Sequence, residues 1–523
     1  MRFLYDNLAA IYIALVVALM AWIFGGTMSE PLLKVVPWLM LLMAEVVFVF
    51  PQRHRDESVY EARERVWHSL KSDPLTWTAL GFVLLLAVPF VNNGLCETCD
   101  RVLIAQGVNP DPPVKFLPFC VDRLDHLNVF LWFVTAFACM IATRHCLVKR
   151  GKRLLLEMIV WNGAALAAFG FIQAVAGAPG PFWETLPGGG RATSFFASWG
   201  YVNMAGDYFT TIFCLAIALW RWRYDEERER ALSISSQSHA KPRDMFWKQN
   251  LYLVPAVLCF IAALNTLSRS AILLASSLAA VFFIHTFWSF TARISKARRV
   301  KAIAICGGVL GFVVLGVIGY MPTKMKKEVE TVNTTVVLDR MTGKSESHVS
   351  LATEIWREHP LFGCGGWGYR HFSYLKYSSQ DQKTMQKYDW ARIGKANVHN
   401  DYMQFLAEHG LVGVLLLVAV LIILLYPFYR KWRVLVRTSR FAAPKDRPPH
   451  PIQIFAIPAP VFCILLALVA TAIHAFADCP FRSAAILTLF FVLLAAIDGF
   501  MPKIDLEKMK SEAHHHHHHH SHS

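Results

Sequence analysis

Apolar residues in this chain run in long unbroken blocks, and polar residues collect between the blocks instead of alternating with them. The blocks lie near residues 8–25, 31–50, 75–91, 127–147, 154–176, 204–221, 251–266, 270–289, 302–320, 411–429, 451–473 and 480–499. Each approaches the roughly 20 residues whose helical rise matches the hydrocarbon core of a bilayer. Backbone in lipid must satisfy its own hydrogen bonds, so runs of this kind fold as helices. The pattern predicts an all-α, polytopic integral membrane protein with about twelve transmembrane helices. The first run is too long for a secretory signal and lacks a small-residue cleavage site, so it is expected to be retained.

The connections alternate in charge. Arg53, Arg55, Arg63 and Arg65 follow the second run, and Lys149, Arg150, Lys152 and Arg153 follow the fourth. Further basic clusters stand around residues 221–230, 293–299 and 430–437. The positive-inside rule assigns these loops and both termini to the cytoplasm. Residues 92–126, 177–203, the tight turn 268–270, the long stretch 321–410 and the turn 474–480 then face outward. The expected organisation is helices 1–4 with an outer cysteine-bearing loop (1–153), helices 5–9 carrying outer arginines (154–320), a large outer loop (321–410) and helices 10–12 (411–511). Residues 512–523 hold the histidine run 514–520, which reads as a purification tag.

Composition adds exclusions. The 523 residues are 55% hydrophobic and 17% charged, which removes the soluble enzymes from consideration. The formal net charge of +15 is gathered between spans and not over a polyanion-binding face, so membrane lipids are expected partners and nucleic acid is not. Cys96, Cys99 and Cys120 share the first outer loop, where an oxidising compartment favours a disulfide; a zinc site with His126 and free thiols are the alternatives. Cys139, Cys146, Cys214, Cys259, Cys306 and Cys463 fall in apolar runs and read as small hydrophobes.

Two signals point to chemistry on the outer side. Arg191, in Gly188-Gly-Gly-Arg191-Ala-Thr-Ser, and Arg269, in Thr266-Leu-Ser-Arg269-Ser-Ala, stand where a guanidinium is expensive unless an anion meets it. Their planar forks match phosphate oxygens bidentately; snorkelling to lipid phosphate is the plainer alternative. His399 opens the segment Asn397-Val-His399-Asn400-Asp401-Tyr-Met-Gln-Phe-Leu-Ala-Glu408-His-Gly410, which predicts a short amphipathic helix stopped at Gly410. A neutral imidazole at its mouth takes a proton from an alcohol near pH 7, whereas Glu408 and His409 at the far end read as backbone partners or caps.

These elements together resemble the bacterial O-antigen ligase and polymerase superfamily. The resemblance is carried by Arg191 with Asn203, Ser268-Arg269-Ser270, Glu358-His-Pro-Leu-Phe-Gly363-Cys-Gly365-Gly-Trp-Gly368 and the His399-Asn400 to Gly413 motif, over roughly residues 155–500. The ending His474-Ala-Phe-Ala-Asp478-Cys-Pro-Phe is also similar to the last turn of many members. The resemblance implies a GT-C-like membrane glycosyltransferase at the periplasmic face of the bacterial inner membrane, working without metal or other cofactor. The implied donor is an undecaprenyl-diphosphate-linked glycan. The implied acceptor is lipid A-core for a ligase, or a second lipid-linked glycan for a polymerase. A protein O-oligosaccharyltransferase and a transporter of lipid-linked anions are the further readings.

The residues fit such chemistry. A diphosphate leaves without needing a proton, so Arg191 and Arg269 are expected to stabilise its charge and His399 to act as the single base, with inversion at the anomeric carbon. Supporting roles fall to Asn203, Arg370, Arg392, Asn400, Asp401, His474 and Asp478, the last three orienting His399 or a neighbouring arginine; the alternative for Asp401, Asp478 and His474 is an oxygen-and-nitrogen metal site. No paired-aspartate signature for metal diphosphate appears. The Gly363–Gly368 run reads as a tight turn in preference to a phosphate cradle, since no lysine or serine follows as a nucleotide loop requires. Trp356, Trp367 and Trp390 read either as sugar-stacking platforms or as markers of the lipid interface, and His371 as a further sugar or diphosphate contact.

Overall fold

The computed structural model describes residues 6–27, 29–93, 112–185, 195–234, 250–291, 348–373, 397–441 and 457–501. Arg191, Arg392, Trp390, Cys96, Cys99 and the run 302–320 lie outside the described residues. Within them the protein is helical, and its only β pairing is two isolated bridges. In chain order the helices are α1 (Leu8–Trp22), α2 (Ser29–Met43), α3 (Val59–Ser72), α4 (Pro74–Ala87), α5 (Arg123–His145), α6 (Lys149–Val175), α7 (Val202–Ile234), α8 (Leu253–Asn265), α9 (Arg269–Thr291), α10 (His348–Glu358), α11 (Asp401–Phe441), α12 (Ala459–His474) and α13 (Ala484–Ala496).

Every expected apolar run other than 302–320 coincides with a helix. Six described helices are long and apolar enough to cross a membrane: Pro31–Phe48, Arg123–His145, Lys149–Val175, Val202–Glu227, Arg269–Phe287 and Asp401–Val436. The pair α3 and α4, bent by 65°, makes a seventh if taken as one span. Leu8–Trp22, Leu253–Asn265, Ala459–His474 and Ala484–Phe500 are shorter apolar helices. The 13 residues of α8 rise only about 20 Å, less than the roughly 30 Å of a hydrocarbon core. Length is therefore where the expectation of about twelve spans departs from the described helices.

The basic stretch after the second run is not all loop. Ser58 and Glu61 form a reciprocal capping box that starts α3, and Asp73 caps α4 with Pro74 in its first turn. Ion pairs tie this end of the bundle: Arg65 to Glu57 (2.7 Å), Arg144 to Asp73 (2.6 Å) and buried Lys152 to Asp498 (2.7 Å).

The core is built around α7, which packs on α8, α9 and α12, while α5 packs on α13 and α1 on α6. Most of the spanning part of α7, 83%, is buried, against 17% for α11, which lies at the rim against α4 and α10. At the end opposite the ion pairs, α8 stops at Asn265 and α9 begins at Arg269, and α12 stops at His474 and α13 begins at Ala484. Polar backbone and side chains freed at these breaks need partners, and they find one another.

Candidate functional site

Residues 399–401 are clamped onto the turn after α12. Asn400 caps α11 by accepting from Met403 N–H (3.1 Å), Asp401 N–H donates to Ala475 O (2.9 Å), Asp401 Oδ2 accepts from Phe481 N–H (2.7 Å), and the Tyr402 hydroxyl donates to Ala472 O (2.7 Å). These bonds leave His399 just ahead of the helix in the left-handed region, at φ 54°. A residue with a β-carbon pays about 1–2 kcal/mol there, so the surrounding bonds hold the ring in place at some cost.

His399 Nδ1 lies 3.1 Å from Asp478 Oδ1. The Asp478 carboxylate also accepts from the Tyr201 hydroxyl at 2.9 and 3.0 Å, from Asn203 Nδ2 and from Cys479 N–H at 2.9 Å. Burial alone pushes the Asp478 carboxyl up. The hydrogen bond from His399, the charges of His474 and His399 and the Tyr201 hydroxyl outweigh it and hold the group below the usual carboxylate range. An ionised carboxylate only accepts, so Nδ1 carries the proton and Nε2 the lone pair. Asp478 is buried, whereas 35% of the His399 side chain is exposed, so part of the imidazole can be reached from outside. The arrangement can remove a proton from an incoming hydroxyl and stabilise the resulting imidazolium.

A second imidazole lies behind this pair. His474 Nε2 is 3.8 Å from Asp478 Oδ2 and 2.8 Å from Ser270 Oγ, while His474 Nδ1 is 3.1 Å from Asp207 Oδ1. Thr471 donates to the other Asp207 oxygen at 3.0 Å. Gly206 permits this meeting: a β-carbon there would collide with Ala271 and press on Thr266 and Ser268, so glycine lets the break between α8 and α9 lie directly on α7. Arg269 is exposed at this break.

Gly410 ends the short helix as expected, with φ 61° and ψ −171° inside α11. The carbonyls and amides released at that kink are taken up by the glycine turn. Cys364 N–H donates to Ala407 O (3.0 Å), Gly365 N–H to Glu408 O (2.8 Å), and Leu411 and Val412 N–H to Pro360 and Leu361 O (2.9 and 3.0 Å). Gly363 adopts φ 70°, and a β-carbon on it would strike the Glu408 backbone. The run is thus a turn whose amides at 364 and 365 are spent on α11, and these do not cradle phosphate.

Three expectations are corrected. Glu408 is neither a cap nor a backbone partner: it is fully buried, pairs with Arg482 Nη1 at 2.7 Å and accepts from Gln404 at 3.0 Å, while His409 packs among Phe82, Phe133 and Phe405. Trp367 is no sugar platform, because its buried ring is packed on Trp132 and covered by Arg370, at 3.2 Å from the ring centroid, and by Arg482 at 5.2 Å. His371 is buried 3.3 Å from Asp125 and so is committed to the protein. The structure thus gathers His399, Asn400, Asp401, His474, Asp478, Asn203 and the Arg269 turn, and places Arg370 on Trp367 instead. Cys120 is buried.

The sequence reading missed Tyr201, Asp207 and Arg482. Asp207 and Arg482 carried the signal already used for the outer arginines, an ionisable group within or beside an apolar run; Tyr201 carried none. Arg482, 3.6 Å from Asp401 and paired with Glu408, has its charge neutralised within the protein.

His399, Asp478 and Cys479 offer ligand atoms within 4.8 Å of one another. The donor set fits a hydrogen-bonded pair better than a cation. Burial and the Asp478 charge push the Cys479 thiol well up, away from the thiolate that a metal requires, and both Asp478 oxygens already accept hydrogen bonds. The alternative trio of Asp401, Asp478 and His474 is likewise committed, Asp401 to Phe481 and Arg482 and His474 to Asp207 and Ser270.

The fold and site define a multi-pass helical membrane protein whose buried carboxylates and imidazoles collect where its short apolar helices stop. Residues 254–418, which carry Arg269, the glycine turn and His399, match the family model described as O-antigen ligase, and this stretch belongs to the O-antigen ligase and polymerase superfamily. The match is narrower than the resemblance read from the motifs: Asn203, Asp207, His474, Asp478 and Arg482 lie outside it. No curated protein matches the chain.

Proposed function

We propose that the protein is an inverting glycosyltransferase of the O-antigen ligase type, moving a glycan from undecaprenyl diphosphate to a hydroxyl of lipid A-core at the periplasmic face of the inner membrane. The observation that carries this reading is the half-exposed His399 ring, held by its Nδ1 on a buried, ionised Asp478 beside the Arg269 turn. His399 Nε2 takes the acceptor proton as the hydroxyl oxygen attacks the anomeric carbon, and the bond to the diphosphate oxygen breaks with its electron pair staying on the diphosphate. Arg269 and Arg191 meet that growing charge. Asp478 and Asn203 keep the base oriented, and Asn400 and Asp401 fix the turn that presents it. The wider architecture belongs to the proposal: a GT-C-like fold of about twelve spans, both termini cytoplasmic, with the divisions 1–153, 154–320, 321–410 and 411–511.

The test is incubation of the purified chain with undecaprenyl-diphosphate-linked glycan and lipid A-core in the presence of a chelator. Glycosylated lipid A-core is the expected product. A longer lipid-linked polymer instead assigns the acceptor to a second donor molecule, as in a polymerase. Activity lost on chelation and restored by magnesium or manganese overturns the metal-free step, and no product under either condition overturns the reading.

A further inference from the structure

The mechanism just described uses a base and a diphosphate clamp that come from separate parts of the chain, and it needs them in register to within a fraction of an ångström. No backbone continuity provides that register. Arg269 begins α9, and His399 precedes α11. Side chains span the gap instead, in a series of hydrogen bonds joined by one longer charge contact. Ser268 Oγ and Ser270 Oγ, on either side of Arg269, are 3.0 Å apart. Ser270 Oγ is 2.8 Å from His474 Nε2, His474 Nδ1 is 3.1 Å from Asp207, and His474 Nε2 faces Asp478 at 3.8 Å, which in turn holds His399.

We infer that His474, gripped by Asp207 and bonded to Ser270, is a positioning residue that fixes the Ser268-Arg269-Ser270 turn against Asp478, so that the diphosphate clamp and the base share one register. The inference rests on the proposed transferase reading. Asp207 receives the Nδ1 proton, Nε2 is left to the Ser270 hydroxyl and to the facing Asp478 carboxylate, and Ser270 and Ser268 share the next hydrogen bond through their hydroxyls. Ser268 Oγ completes the series by accepting from Ala271 N–H at 3.4 Å. Both Asp207 and His474 are almost wholly buried, and Thr471 occupies the second Asp207 oxygen, so the imidazole has little room to turn. Gly206, one residue before Asp207, brings the α8–α9 break within reach of this anchor.

The ligand whose placement depends on this device is the diphosphate of the donor. The discriminating measurements are binding of undecaprenyl diphosphate to the full chain in nanodiscs and the split between KM for the lipid donor and kcat. Ser270→Ala is expected to weaken binding and raise KM on the order of tenfold, the consequence of losing one buried hydrogen bond, with thermal unfolding close to wild type. Ser270→Thr, which keeps the hydroxyl, restores most of it. His474→Asn, whose amide imitates Nδ1 but does not reach Ser270, behaves like Ser270→Ala. Combining Ser270→Ala with Arg269→Ala adds little to Arg269→Ala alone, because both act through one guanidinium.

Unchanged binding and KM in Ser270→Ala, beside a wild-type protein that binds and transfers normally, overturns the inference and leaves the transferase reading standing. Full additivity with Arg269→Ala also overturns it. Covalent labelling of Ser270 by a fluorophosphonate replaces it with a nucleophilic role. A wild-type protein that neither binds undecaprenyl diphosphate nor transfers glycan overturns the transferase reading itself. If His474→Asn fails to fold, the serine pair decides alone.

Discussion

Replacing Asp478 by asparagine removes one charge from the site with almost no change in volume. The carboxylate now accepts from His399, Tyr201, Asn203 and Cys479 N–H, and the asparagine carbonyl can keep only part of that set. Its amide nitrogen must face groups that themselves donate. A charge-assisted hydrogen bond to the imidazolium contributes about 1.5–3 kcal/mol, which is about ten- to a hundredfold in rate. An amide N–H directed at Nδ1 further favours the tautomer whose proton is on Nε2, where it blocks the base. The combined loss is expected to reach about two to four orders of magnitude in the transfer step. Single-turnover transfer from a radiolabelled lipid-linked glycan measures it, with undecaprenyl diphosphate binding as the control that should stay within a few-fold. Turnover above about a tenth of wild type would refute the reasoning, since Asp478 would then be packing and not orientation. Stability gives an independent check with a defined sign. The folded-state pKa of Asp478 lies below its ordinary value of 3.8, so its contribution is complete above about pH 4 and fades as pH falls through the depressed value. The stability gap between wild type and Asp478→Asn should narrow in strong acid as the carboxylate protonates, as followed by denaturation in mild detergent.

Other expectations are simpler. His399→Ala should lower transfer by about two to four orders of magnitude while folded yield and donor binding persist, and near-normal turnover removes His399 from the mechanism. Arg269→Lys and Arg191→Lys should fail nearly as badly as alanine in the transfer assay, because an ammonium keeps the charge and loses the bidentate fork; recovery by lysine would make them generic positive charge. Arg482→Ala leaves Glu408 and Asp401 buried without their cation, so thermal unfolding and folded yield should show a loss of about 3–5 kcal/mol, and a variant as stable as wild type would show that the pair is not needed.

Particular residues show how far the sequence could be read. Gly410 announced the end of a short helix, and the break is there, because glycine in that setting has a local conformational meaning that needs no partner. Glu408 was misread two residues earlier. A glutamate near a helix end has several local uses, and only the arrival of Arg482, 74 residues on, makes it half of a buried ion pair. Trp367 was left between sugar platform and lipid marker, and the stacking of Arg370 and Arg482 on its ring decided against the first.

By itself the sequence determined that this is a helical membrane protein and where most of its helices run, and it marked some of the ionisable groups beside apolar runs, since apolar run length and the cost of an ionised group beside lipid are local properties of the chain. The tertiary structure alone decided the pairings: His399 with Asp478 across 79 positions, and His474 with Asp207 across 267. Those depend on helix packing, here on the missing β-carbon of Gly206 and on α12 ending beside the start of α11, and hydrogen-bond partnership at about 3 Å is set by that packing and not by any spacing along the chain.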